Sequence, residues 1–114
     1  MHEVSIAQSL LDVVMRSLDE RGCRRVTRIA VKVGRLSAVV PESLDFAFRA
    51  AARGTPAETA ELAIEEVDGA ARCRSCGADF ETDSFFVICE RCGSGDVEVS
   101  GGDDLTLESM DIET

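Results

Sequence analysis

Cys73-Arg74-Ser75-Cys76-Gly77 and Cys89-Glu90-Arg91-Cys92-Gly93 repeat one motif, with twelve residues between Cys76 and Cys89. Two Cys-x-x-Cys pairs at this spacing predict a four-thiolate metal site. The two-residue gap lets both sulfurs of a pair turn toward one ion. The glycine after the second cysteine admits the positive φ of a tight knuckle. The stretch between the pairs is long enough for two short strands and a turn. Phe80, Phe85, Phe86, Val87 and Ile88 lie in it, and some of them are expected to cover the site. Four thiolates favour Zn2+, with iron as the redox-active competitor. A closed four-cysteine zinc site has no open coordination position, so it reads as structural. The alternative is a pair of disulfides. A fifth cysteine, Cys23, and the lack of a signal peptide speak for a reducing compartment instead.

Composition narrows the function classes. The chain of 114 residues carries 22 acidic against 12 basic residues, a net charge of −10. Duplex nucleic acid and anionic bilayers are repelled by such a field, which disfavours the commonest use of zinc ribbons. The basic residues are eleven Arg and one Lys and form no polybasic run. No apolar run approaches the ~18–20 residues of a membrane helix. Met1-His2-Glu3 opens without a basic n-region or apolar h-region, so the expected location is cytoplasmic.

On either side of the knuckles the chain reads as one small α/β domain. Ser5 and Gln8 have capping-box spacing and predict a helix from there to Arg21, stopped by Gly22. Ile6, Leu10, Val13, Val14 and Leu18 make its apolar stripe. Met1 to Glu3 are left as a short arm on a rigid element. Residues 26–36 alternate as a strand, with a bulge expected at Gly34, where Leu36 changes parity. Pro41 suits the first turn of a second helix, and Leu44, Ala47, Phe48 and Ala51 carry it to Arg53. A second strand is expected over Glu61–Val67. Asp68-Gly69-Ala70-Ala71 and Ser100-Gly101-Gly102 read as linkers into and out of the metal module. Leu105, Leu107, Met110 and Ile112 form a last strand whose parity slips near Glu108-Ser109. That strand is too short to fold alone, so the module is an insertion. The expected division is 1–70 for an α/β domain, 71–100 for the zinc ribbon and 101–114 for a returning strand.

Little in the remainder supports catalysis. The single histidine, His2, excludes a histidine-based triad, and the glycines form no phosphate loop. The acidic residues fall on solvent faces. His2 nevertheless has a chemistry of its own. The Met1 amine, the His2 backbone nitrogen and the imidazole can close fused chelate rings on one ion, a nitrogen set suited to Ni(II) or Cu(II). The Glu3 carboxylate offers a further ligand. Imidazole and amine titrate at about 6.5 and 7.7–8.0, so acid is expected to release this metal before the thiolate-bound one. An exposed, idle His2 is the alternative on residues alone. Cys23 reads as a surface or half-buried thiol.

The chain resembles the HypA/HybF family, nickel metallochaperones for NiFe hydrogenase maturation. The resemblance runs through Met1-His2-Glu3, Val33-Gly34-Arg35-Leu36, Pro41-Glu42-Ser43-Leu44 with Phe46 and Phe48, and Gly54-Thr55. It continues through Leu62 to Glu66, both cysteine pairs, Asp104-Leu105 and Ser109-Met110-Asp111-Ile112-Glu113. It implies an α+β fold, two helices packed on a small three-stranded mixed sheet with an inserted zinc-ribbon module. It implies nickel at Met1, His2 and Glu3, and zinc at Cys73, Cys76, Cys89 and Cys92. It further implies a carrier rather than an enzyme, with the GTPase HypB and the hydrogenase large subunit as partners. No nucleic acid or membrane is expected, and the chain is expected to be a monomer or weak homodimer. The competing readings are a zinc-ribbon module for proteins or nucleic acid without a nickel role, and a rubredoxin-like iron carrier.

Overall fold

The computed structural model describes residues 2–113, with side chains from residue 3 onward. The elements are α1 (His2–Arg21), β1 (Arg25–Gly34), α2 (Pro41–Ala51), β2 (Glu61–Val67), β3 (Gly69–Cys73), β4 (Asp79–Thr82), β5 (Val97–Ser100) and β6 (Leu105–Glu113). They form two three-stranded sheets, ordered β2-β1-β6 and β4-β3-β5. The first sheet is mixed, with two helices, and the second is antiparallel.

Helix α1 begins earlier than its sequence suggests. Ser5-x-x-Gln8 is not its cap; the helix already includes His2 and Glu3, which removes them from the expected arm. An acidic residue in the first turn suits the positive end of the helix dipole. The other end closes as a Schellman motif: the Cys23 N–H reaches the Leu18 carbonyl and the Gly22 N–H reaches that of Asp19. Gly22 supplies the required positive φ of 64°. The buried stripe is Ala7, Leu10, Leu11, Val14 and Leu18. It is rotated from the expected one. Val13 is 39% exposed and Ile6 only half-buried, while Ala7 and Leu11 take the core positions.

Strand β1 buries Val26, Ile29, Val31 and Val33, and α2 buries Leu44 and Phe48. Pro41 opens α2 as expected. The helix stops two residues before Arg53, because Ala52 caps it and its N–H closes on the Phe48 carbonyl. The chain therefore runs β1-α2-β2, the crossover that parallel neighbours require. Arg28 beside Glu61 and the Arg35 N–H on the Val67 carbonyl show β1 and β2 running in the same sense. Arg25 beside Glu113 and the Gly34 N–H on the Asp104 carbonyl show β6 running against β1. The burial alternation of β6 inverts across Glu108-Ser109, both exposed, as its sequence suggests.

At Gly34 there is a strand end and a turn rather than the expected bulge: Ser37 returns both its N–H and its hydroxyl to the Gly34 carbonyl. The glycine is required by a close approach. A Cβ on Gly34 would overlap the Gly102 carbonyl, and one on Gly102 would meet the Gly69 backbone at 2.6 Å. Three segments are laced here, through Gly34 N–H to Asp104, Arg35 N–H to Val67 and Leu36 N–H to Gly102, at 2.7–2.8 Å. Leu36 packs against Gly69, and residues 69–71 begin strand β3, with Gly69 and Ala71 buried, rather than forming a linker.

Two compact units result. One comprises Met1–Lys32, Val39–Glu65 and Thr106–Thr114, the other Val33–Ala38 and Glu66–Leu105. The first holds the apolar core of both helices. Phe48 is its largest fully buried side chain. Phe48→Ala is expected to lower unfolding free energy by about 3–5 kcal/mol. Phe46→Ala, at a position 75% exposed, is expected to change it by less than ~0.5 kcal/mol. Urea denaturation of the metal-loaded protein checks both.

Candidate metal centre

Each cysteine pair is shaped by the same backbone frame. The Cys73 N–H donates to the Ala78 carbonyl at 2.9 Å, and the Gly77 N–H returns to Cys73 at 2.8 Å. The second knuckle repeats this with Cys89 to Ser94 at 2.9 Å and Gly93 to Cys89 at 2.7 Å. Gly77 and Gly93 both adopt φ 78°, which an L side chain would resist. The Ser75 and Ser94 hydroxyls, 3.0 Å apart, join the two knuckles.

The four sulfurs of Cys73, Cys76, Cys89 and Cys92 converge within 4.8 Å of one another. Cys73 to Cys92 measures 3.5 Å and Cys76 to Cys89 3.7 Å. A tetrahedral ion with bonds of about 2.3 Å to sulfur needs edges of about 3.8 Å. The donor set therefore fits a thiophilic dication, and it is the one such metal-ligand cluster among the described residues. Cys23 stands apart, half-buried and free. One cysteine of each pair is buried, Cys73 and Cys89, and the other is exposed.

Crowding makes the sulfurs electrostatically unequal. The Cys76 N–H, 3.4 Å from the Cys73 sulfur, draws the Cys73 thiol down to about 6. The Ser94 N–H pulls Cys92 the same way, but the Cys73 sulfur, partial desolvation and the other two sulfurs outweigh that and push it up to about 12. One ionised thiol thus opposes the next, and a dication at the centre removes the conflict. Metal uptake must expel thiol protons, so affinity falls as pH falls.

The flanking arginines are occupied elsewhere. Arg72 pairs with Asp79 across β3 and β4 at 2.9 Å, and Arg74 with Asp96 at 3.0 Å. They brace the sheet rather than the sulfurs, and only weakly at such exposure. Of the five residues from which cover is expected, Phe85, Phe86 and Ile88 are exposed, and Phe80 and Val87 are half-buried. In the sheet that carries Cys73, the other buried residues are Gly69, Ala71 and Thr82. Nothing in the periodicity distinguished these outward residues from core.

Of the amino-terminal candidates, Met1 and the His2 side chain lie outside the described residues. Glu3 is helical, and its carboxylate accepts the Val40 N–H at 3.2 Å. Val40 is the N-cap residue of α2 and has no side-chain cap of its own. This contact joins residues 37 apart, beyond the reach of any local pattern. Beside it an open groove of about 700 Å3 is lined by Val4, Phe46 and Ala47, with Glu3 and Glu42 among its polar residues.

Cys73→Ser is expected to take bound metal from one ion per chain to near zero and to unprotect β3–β5 amides. Cys23→Ser is expected to keep full occupancy. Elemental analysis with hydrogen exchange separates the two.

The family model for hydrogenase/urease nickel incorporation, the metallochaperone HypA, matches residues 1–112. The hydrogenase maturation factor HypA of Chlorobaculum tepidum is 48% identical, over 99% of this chain and 100% of its own. That of Chlorobaculum parvum is 45% identical over the same shares. The solution structure of the Ni metallochaperone HypA from Helicobacter pylori shares the fold, with a TM-score of 0.67 and 22% identity over 97% of both chains. A second HypA solution structure gives 0.70 and 24% over 98% of this chain and 96% of its own. With its full-length family match, its two helices and mixed sheet, and its four converging cysteines, this chain belongs to the HypA family of nickel-incorporation metallochaperones.

Proposed function

We propose that this chain carries Ni2+ on its amino-terminal turn and delivers it to the large subunit of a NiFe hydrogenase, while Zn2+ at Cys73, Cys76, Cys89 and Cys92 holds the ribbon in shape. The family match over residues 1–112 is the observation that carries this reading. The ligands are the Met1 amine, the His2 imidazole and backbone nitrogen, with Glu3 as a further oxygen donor.

The start of α1 supports that assignment. The first N–H groups of a helix have no intrahelical acceptor, so the His2 backbone nitrogen is not consumed by the ladder. The positive helix end also stabilises an amide that has lost its proton to metal. Glu3 already accepts the Val40 N–H, so it serves nickel only by sharing or surrendering that bond.

Such a site turns nothing over. A few nitrogen donors at the end of a helix hold the ion against loss yet leave it open to ligand-by-ligand exchange. An acceptor with softer or more numerous ligands then draws it away. HypB is the proposed GTPase partner. The acidic surface raises local cation concentration and suits basic partner patches. No helix among the described residues is long and apolar enough to cross a membrane. We place the protein in the cytoplasm, as a monomer or weak homodimer. A nucleic-acid-binding ribbon is disfavoured by the charge of −10 and by the engagement of Arg72 and Arg74 with carboxylates.

Calorimetric titration of Ni2+ into zinc-loaded protein with its native amino terminus tests the proposal. His2→Ala is expected to weaken binding at least tenfold, about 1.4 kcal/mol, with zinc content unchanged. One residue added before Met1 is expected to weaken it as well, by displacing the amine. Equal affinity in wild type and His2→Ala removes the basis of the nickel assignment.

A further inference from the structure

We infer that the Phe80–Glu90 segment of the ribbon is a docking surface for a partner polypeptide segment in which apolar side chains are flanked by Arg or Lys. Phe86 is 96% exposed, Ile88 64% and Phe85 61%. This concentration of exposed apolar surface belongs to a chain with only five phenylalanines. Large exposed apolar side chains set side by side mark interaction sites rather than ordinary surface.

The segment is also shaped. Phe80, Phe86, Val87 and Ile88 line an open groove of about 340 Å3. Its loop is held in place by consecutive hydroxyl contacts. The Thr82 hydroxyl accepts the Ser84 N–H at 3.1 Å and donates to the Ser84 carbonyl at 2.9 Å. The Ser84 hydroxyl accepts the Phe86 N–H at 3.0 Å. The aromatic side chain is therefore presented outward by an ordered backbone, which lowers the entropy lost on binding.

Charge decides the occupant. Glu81, Asp83 and Glu90 line the same groove, are exposed, and form no ion pair among the described residues. Its one basic lining residue, Arg35, is already held by Asp68 at 3.2 Å, with Glu66 at 3.9 Å. Exposed apolar side chains thus adjoin a mainly polar groove with an uncompensated acidic rim, a surface complementary to apolar side chains between cations. A second copy of this chain would bring the same acids onto the same rim at a net charge of −10. The inference does not depend on nickel binding at the amino terminus.

The test uses the full chain, zinc-loaded and nickel-free, with a fluorescein-labelled peptide of alternating Val and Arg read by anisotropy. Wild type is expected to bind it, and Phe85→Ser/Phe86→Ser to bind at least tenfold more weakly with unchanged zinc content. Glu81→Gln/Asp83→Asn is expected to weaken binding severalfold and to flatten its salt dependence. A peptide with Ser in place of Val is expected to bind wild type no better than the aromatic double variant binds the Val peptide. Equal binding by wild type and the aromatic variant, or equal binding of the Ser and Val peptides, overturns the proposal. So does a wild-type dimer in sedimentation that the aromatic variant abolishes, since a second copy then covers the groove.

Discussion

Four thiols held within 4.8 Å of one another cannot all ionise unless a cation sits among them. This electrostatic constraint organises the second compact unit. The backbone N–H donors of the two knuckles and the positive-φ glycines aim the sulfurs inward, and the ion they imply joins two turns that are 13 residues apart at their nearest cysteines. The sheet built on them has a very small apolar core, Ala71 of its own strands with Leu36 packed on Gly69. A sheet with so little to bury relies on its metal, because three short strands alone gain too little to offset chain entropy.

The first unit obtains its stability in another way, from Leu10, Leu11, Val14 and Leu18 of α1, β1's Val26, Ile29 and Val31, and Leu44 and Phe48 of α2. Each such side chain contributes about 1.5–3 kcal/mol on burial. The packed helices present the first turn of α1 on a firm base, with Glu3 tied to the start of α2. In the proposed carrier, stability and cargo chemistry are thus separated. Sulfur holds a permanent ion that shapes a surface, and nitrogen at the amino end holds one meant to leave.

Much of this was legible in the sequence. Cysteine spacing foretold the sulfur cluster, because two-residue gaps and following glycines leave few other geometries. The second strand, expected at about Glu61 to Val67, is β2, and Pro41 marks the start of α2. Other features depended on contacts that no local pattern carries. The α1 stripe came out rotated because the helix has apolar residues on more than one side, and the packing partner selects Ala7 and Leu11 over Ile6 and Val13. Gly34 looked like a bulge because its true reason, the passage of Gly102, lies 68 residues away. Which of Phe80, Phe85, Phe86, Val87 and Ile88 stay exposed was not legible, because hydrophobicity alone does not say which way a residue in a short loop faces.

The separation of the two metals is the central claim, and nickel K-edge X-ray absorption on the zinc-loaded protein with its native amino terminus tests it most directly. The account predicts a nitrogen and oxygen shell with imidazole scattering and no sulfur, beside zinc that remains bound by four sulfurs. A nickel–sulfur shell, or nickel that displaces zinc from the cysteines, would contradict it.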